Sequence, residues 1–320
     1  MKICLLLLNI IFCFSHILDE IRIDLVNKGI AYLPPRENVD LLKMANEISK
    51  IKDQYSMTEA ETAYFIFKWI SRKLGYDCYG ENHGGIITEP LETYREGRGG
   101  DEGLARLFTT ICGLLNIESQ VIFGIEKYIT YNFENPVEIR EKYWNSVMIN
   151  DSYYLVDIMG GMGYCSGDQF NYPIHFGNYD YGLNPESFIR HKFPNDNKWQ
   201  LISNPITKAV FNSMAYLYDD FFKLFKTIYP DVLILRNGNE LVKITLTFEN
   251  PISIDNLEVT AKFYYHWGEE YIEEYINIIN LKIANGALEF SPYITKSGFL
   301  TIYLSLNSSF YYLVTYLVDL

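Results

Sequence analysis

Within GRGGDEGLARLFTTICGLL one residue has the setting of a reactive group, Asp101. Gly99 and Gly100 supply a flexible turn, and Asp101 and Glu102 place acid where a helix begins. Leu104, Leu107, Phe108, Ile111 and Leu115 recur at helical spacing, so a buried helix is predicted to start at Asp101. Downstream, KYWNSVMINDSYYLVDIMGG reads as two strands around a turn at Asn150 and Asp151, carrying Lys142, Trp144, Asn145 and Asp157. A special residue at the start of a buried helix, with its partners on a strand hairpin, is one way to assemble a nucleophile, a base and an acid. Here the three places hold a carboxylate, an amine and a second carboxylate.

The elements that must position these residues follow from pattern. Ile21 to Leu33 reads as a short strand or extended arm stopped by Pro34 and Pro35. VDLLKMANEISKIKD is a helix with one broad apolar face, and a second helix follows in which Thr58 and Glu61 form a capping box before ETAYFIFKWISRKLGYD. Tyr76 to Glu96 reads as a loop, the Asp101 helix runs to about Leu115, SQVIFGI is a strand, and Glu126 to Glu141 is a polar, aromatic loop. Met159 to Ser187 has no period and reads as a long irregular loop, and a short helical region spans Thr207 to Thr227. From Pro230 onward VLILR, LVKITLTF, LEVTAKFYY, EYINIINLKI, ALEFSPY, GFLTIYLSL and YYLVTYLV alternate with NGN, ENP, NG and SG turns, the signature of an immunoglobulin-like β-sandwich.

Composition narrows the function. A chain of 320 residues with 48 % apolar content builds ample core, and a formal charge of -13 excludes a nucleic-acid partner, which needs clustered Lys and Arg. MKICLLLLNIIFCFS has a basic start at Lys2, an apolar run from Ile3 to Phe14, and Cys13 and Ser15 spaced for cleavage. It reads as a secretory signal peptide over residues 1–15, too short to anchor in a membrane, and predicts a secreted protein without stable membrane insertion. The cysteines then left are Cys78, Cys112 and Cys165. An odd count without CxxC spacing reads neither as a disulfide framework nor as a zinc site, so no metal and no cofactor is expected, and Cys112 reads as a small buried hydrophobe. Asn150 and Asn307 head glycosylation sequons.

FIFKWISRKLGYD, GRGGDEGLARLFTTICGLLNIESQVIFG and YWNSVMINDSYYLVDIMGGMG resemble the three blocks of the transglutaminase-like core, most closely its kyphoscoliosis peptidase branch. LNPESFIRHKFPNDNKWQLISNPITKAVF is similar to the segment that follows the core in that branch, so the resemblance covers Val39 to Phe211. It implies an α+β fold: a papain-like core of helices packed on an antiparallel sheet over residues 16–228, followed by the β-sandwich over residues 229–320. It also implies that the family's cysteine stands where Asp101 is, its histidine where Lys142 is, and its acid at Asp157. Only the acid matches, and none of His16, His83, His175, His191 and His266 falls near the position of the base.

A carboxylate is a poor acyl-transfer nucleophile, and a protonated lysine accepts no proton. The expected function is therefore a catalytically inactive, secreted binding or scaffold module with a protein partner, in which Trp144, Asn145 and Tyr164, with Tyr128 and Tyr131, are candidates to line a retained cleft. Asp101, Lys142 and Asp157 would keep the signs of a thiolate, imidazolium and acid without their chemistry; the plainer alternative is a helix-opening acid and a solvated lysine. An enzyme reading competes, a cysteine-independent hydrolase or acyl transferase using the same cleft. A structural surface protein whose β-domain carries the contact is the third.

Overall fold

Helical periodicity begins earlier in the chain than the prolines suggest. The computed structural model describes residues 17–18, 20–33, 40–172, 181–236, 241–250, 257–267 and 270–320, so the leader expected over 1–15 lies outside the described residues, as do His16 and His175. Ile23–Tyr32 is a helix, α1, and not an extended arm: Val26, Gly29 and Ile30 form its buried stripe. At Gly29 the helix-weakening effect of glycine is outweighed by close approach, a Cβ there meeting Met57, Ile51 and Phe65 at 3.0 Å or less. In α2 (Leu41–Tyr55) the Asp40 carboxylate accepts the first free N–H groups and Met44, Ala45, Ile48 and Ile51 turn inward.

The third helix, α3 (Glu59–Lys73), is buried on every side from Ala60 to Ser71 and starts with the expected Thr58–Glu61 capping box. Glu61 has a second task. Arg22 donates to it through Nε at 2.6 Å and Nη2 at 2.7 Å, tying the segment before α1 to the start of α3. This hydrogen bond, opposed by burial and helped by the Thr58 N–H, holds the Glu61 carboxyl at about 2 against an ordinary 4.5.

Tyr76 to Glu96 is not a simple loop. β1 (Gly75–Tyr76) pairs in parallel with β2 (Arg98–Gly99), and between them lie α4 (Cys78–His83), capped by Asp77, and α5 (Pro90–Glu96), opened by proline and closed by Gly97 at positive φ. The helix α6 (Asp101–Leu114) follows as expected. Then come β3 (Ser119–Ile129), β4 (Val137–Ile149) and β5 (Ser152–Val156), with the β4–β5 turn at Asn150 and Asp151, both at positive φ. The first two strands are longer than expected and take up most of the stretch read as a polar loop from Glu126 to Glu141.

The stretch from Met159 to Ser187 likewise has structure, the hairpin β6 (Tyr164–Ser166) and β7 (Gln169–Asn171), the strand β8 (Tyr181–Leu183) and α7 (Pro185–Phe188), before β9 (Lys192–Pro194). The sheet order is β8-β5-β4-β3-β9. Cys78 and Cys165 form a disulfide joining α4 to β6, a pairing that the odd count without CxxC spacing did not suggest; Cys112 is free and buried, as read.

The chain forms two compact units, and their division is not a single cut near residue 229: the second unit takes residues 125–140, 186–193 and 204–320. In place of one helical region it has α8 (Lys208–Ser213), β10 (Tyr216–Leu217), α9 (Phe221–Leu224) and β11 (Phe225–Tyr229). The strands β12 (Ile234–Arg236), β13 (Ile244–Phe248), β14 (Leu257–Trp267), β15 (Glu270–Ile276), β16 (Ile278–Ala284), β17 (Ala287–Pro292), β18 (Gly298–Leu306) and β19 (Ser309–Asp319) follow. They make two sheets, β10-β19-β18-β14-β15 with β12 beside β19, and β11-β13-β17-β16. Leu246, Leu288 and Phe290 of one sheet and Phe263, Leu300, Ile302 and Val314 of the other belong to a single apolar core. Lys127 is buried against α8, its Nζ donating to the carbonyls of Phe211 and Met214, and burial lowers its ammonium to about 8.

Two outcomes follow. The Glu61 carboxylate contributes stability that is fully present above pH 4.5 and is lost as pH falls toward 2, so Glu61→Gln flattens the acid limb of unfolding free energy against pH, measured by urea titration. Reducing Cys78–Cys165, which closes a separation of 87 residues, lowers stability by about 4 kcal/mol on the chain-entropy argument, seen as a lower urea midpoint with dithiothreitol than without.

Candidate functional site

Asp101 is half-buried at the first turn of α6, and both of its carboxylate oxygens accept backbone N–H groups. Oδ1 takes Glu102 N at 3.0 Å, and Oδ2 takes Tyr143 N on β4, also at 3.0 Å. One helical turn on, the buried Asn145 side chain donates through Nδ2 to the Ala105 carbonyl at 2.9 Å and to Thr109 Oγ1 at 3.0 Å. Four helical residues advance about 6 Å and two strand residues about 6.6 Å, so helix positions 101 and 105 and strand positions 143 and 145 run in step. The result is a two-point seam along which α6 lies parallel to β4.

Space, and not flexibility, explains the glycines around Asp101. Gly99, Gly100 and Gly103 all lack positive φ, Gly100 lying at -67°. A Cβ on Gly99 would stand 2.7 Å from the Thr93 side chain, on Gly100 2.7 Å from Ile86, and on Gly103 2.5 Å from the Ile87 carbonyl oxygen. The helix start is therefore pressed against the segment Ile86–Thr93, and the expected flexible turn is a close approach of chain to chain.

Of the three positions singled out by the sequence, Asp101 bonds to β4 at Tyr143, Lys142 lies on β4 and Asp157 follows the end of β5. Lys142, half-buried, immediately precedes Tyr143. Asp157 is 1 % exposed, directly follows the last paired residue of β5, Val156 opposite Asn145, and accepts Gly160 N through Oδ1 at 3.2 Å. The surroundings of Asp101 are phenolic and acidic. The Tyr76 hydroxyl is pushed well up by burial, then by the charges of Glu81 and Asp101; that of Tyr143 is raised by burial, then by Glu102 and Asp101. Such a site can accept hydrogen bonds and hold a strand in place.

The cleft candidates fare differently. Trp144 and Asn145 are fully buried and cannot present themselves to a partner: β4 is an inner strand of its sheet, covered on both faces. Tyr164 is 65 % exposed, on the β6–β7 hairpin and not at the Asp101 seam. Tyr181 is buried against Tyr64, and Tyr131 packs inside the second unit, its hydroxyl 3.0 Å from that of Tyr218. His83 is exposed and paired with Asp168 at 3.0 Å, while His191 bonds the Leu217 carbonyl and is pushed by burial down to about 4. Asn150 and Asn307 both sit on exposed turns at positive φ. Among the described residues no cluster of His, Cys, Asp and Glu is arranged to hold a metal.

Sequence reasoning missed Asp77. Buried beneath α4, it accepts Gly80 N through Oδ1 and Ile87 N through Oδ2 at 3.1 Å, and Arg98 Nε lies 3.3 Å from it. It anchors the segment that Gly100 and Gly103 touch. Its signal was an acid just before a short polar run, a cap too brief to stand out.

Residues 43–158 match the transglutaminase-like superfamily. The chain is similar to human kyphoscoliosis peptidase, 24 % identical over 200 residues, 62 % of this chain and 30 % of that protein. The mouse kyphoscoliosis peptidase is 22 % identical over 209 residues, 64 % of this chain and 32 % of that protein. Lim and transglutaminase domain protein ltd-1 of Caenorhabditis elegans is 23 % identical over 217 residues, 59 % of this chain and 28 % of that protein. The chain thus spans about 30 % of the length of the curated relatives it matches. A solved structure titled as that of a TGase aligns with TM-score 0.30 and 10 % identity, over 43 % of this chain and 35 % of that one.

The seam and the glycine contact make different claims on stability. Gly103→Ala gains about 1 kcal/mol of helix propensity but drives a methyl into a backbone carbonyl, for a net loss of about 2 kcal/mol. Asp101→Ala, which removes the acceptor of two half-buried N–H groups within reach of water, costs about 1 kcal/mol. Thermal unfolding that ranks Asp101→Ala as the more damaging would refute this order. Lys142→Ala lowers the melting temperature if Lys142 joins the two acids in a buried charge network, and leaves it unchanged if it does not.

Proposed function

We propose that this member of the transglutaminase-like superfamily, of the kyphoscoliosis peptidase branch, is a catalytically inactive, secreted binding module. The observation that carries the reading is the engagement of Asp101. At the position where the family resemblance puts a thiol nucleophile stands a carboxylate whose two oxygens already accept Glu102 N and Tyr143 N. A carboxylate is a poor acyl-transfer nucleophile, and the two hydrogen bonds that it accepts draw its charge toward the backbone. Here the helix-start residue holds β4, and the base position carries lysine, whose protonated form donates only.

Secretion is supported by three features of independent origin. The leader MKICLLLLNIIFCFS has signal-peptide organisation, Cys78 and Cys165 are disulfide-bonded, and both sequon asparagines lie on exposed turns, where a glycosyltransferase reaches them. The partner is a protein, in keeping with the acidic charge of the chain.

Incubation of the purified full chain with a primary-amine donor and a glutamine substrate, and separately with a peptide mixture, yields no turnover above buffer, and Asp101→Ala leaves that result unchanged. Turnover abolished by Asp101→Ala would establish the competing reading, a cysteine-independent hydrolase or acyl transferase.

A further inference from the structure

The second unit ends one of its sheets on an unusual edge. β15 pairs with β14 along Ala261 to Trp267, and among the described residues no strand pairs with its other side. Edge strands are normally blunted by charged side chains, lysine above all, by proline or by a bulge. β15, of sequence EYIEEYI, contains neither lysine nor proline and keeps unbroken register with β14, whereas β16, the edge of the other sheet, is interrupted by a register shift between Ile279 and Lys282. Every charge on β15 is negative, Glu270, Glu273 and Glu274, of which Glu273 meets Lys262 and Glu274 meets Lys296 at 3.4 Å. One face carries Tyr271, Glu273 and Tyr275, and the two tyrosines are 50 % and 71 % exposed.

The sheet already contains a model of what would sit against this edge. Lys262, on the neighbouring strand β14, lies opposite Tyr275 in the register, places its Nζ 2.5 Å from Glu273 Oε1 and stands 5.1 Å from the centre of the Tyr275 ring. One basic side chain from an adjacent strand thus meets the carboxylate and the ring together. A strand added on the open side of β15 would bring its own side chains alongside the same Tyr-Glu-Tyr row, with backbone pairing for affinity and the acid and rings for choice of residue. A second copy of β15 in that place would set glutamate rows side by side, which is destabilising.

We infer that β15 is the docking edge for an extended, basic peptide segment of a partner protein, received by strand addition with lysine or arginine at alternate positions beside Glu273 and Tyr275. This does not depend on whether Asp101 is catalytically silent, and so it stands or falls separately from the reading of the first unit.

The test uses the full chain and a blocked seven-residue peptide of alternating lysine and valine. Two controls go with it: the same peptide N-methylated on alternate amides, which keeps charge but cannot pair as a strand, and a version with glutamate in place of lysine. Fluorescence anisotropy at physiological ionic strength is expected to show saturable binding of the first peptide alone. Glu273→Lys and Tyr275→Ala each weaken it about tenfold while melting temperature is retained. Hydrogen exchange is expected to slow in residues 270–276 on binding. No binding, equal binding of the N-methylated peptide, indifference to Glu273→Lys in a folded variant, or protection elsewhere would overturn the proposal. So would sedimentation showing that the edge is occupied by a second copy, with a dimer that Glu273→Lys dissolves.

Discussion

The first unit depends on the seam between α6 and β4. Apolar contact presses the helix on the sheet, since Leu104, Leu107, Phe108 and Ile111 are fully buried, but apolar contact alone does not fix how far a helix slides along a strand. Two side-chain bonds to backbone do: Asp101 to Tyr143 N from the helix, and Asn145 to the Ala105 carbonyl from the strand. Each satisfies a polar group that would otherwise be desolvated without a partner, and together they fix translation to one residue. Ser119 adds a third point, its Oγ donating to the Ser146 carbonyl at 2.9 Å while lying 3.2 Å from Thr109 Oγ1.

What the sequence disclosed was local. The Thr58–Glu61 box, the turn at Asn150 and Asp151 and the helix starting at Asp101 each depend on residues within a few positions of one another, and each stands where periodicity and capping chemistry place it. α1 was obscured because Gly29 and the Pro34–Pro35 pair are strong local signals, while the reason for a helix is the packing of Val26 and Ile30 in a core assembled from distant helices. The pairing of Cys78 with Cys165 across 87 residues has no local trace at all. Burial on both faces of an inner strand is equally invisible to alternation, which is why Trp144 and Asn145 read as candidates for a cleft when they are interior.

The candidate positions came from the family resemblance, and the structure adds the contacts that Asp101 makes. Sequence placed Asp101, Lys142 and Asp157 together through the order of three blocks. It could not show that Asp101 spends both oxygens on backbone donors, because Tyr143 N–H is a group every residue has. The second unit repeats the pattern: the strands were readable from alternation and turn residues, but EYINIINLKI divides at Asn277, whose carbonyl accepts Tyr293 N, into β15 of one sheet and β16 of the other.

The glycine packing around the start of α6 separates two kinds of evolutionary freedom within five residues. At 103 a side chain larger than hydrogen collides with the Ile87 carbonyl oxygen, which moves only with its backbone, whereas at 99 and 100 it meets the Thr93 and Ile86 side chains. Position 101 between them is half-open, and its side chain answers only to what it must hold. The backbone around the start of α6 is thus set by contacts at its glycines, while the side chain at 101 can change without moving that framework.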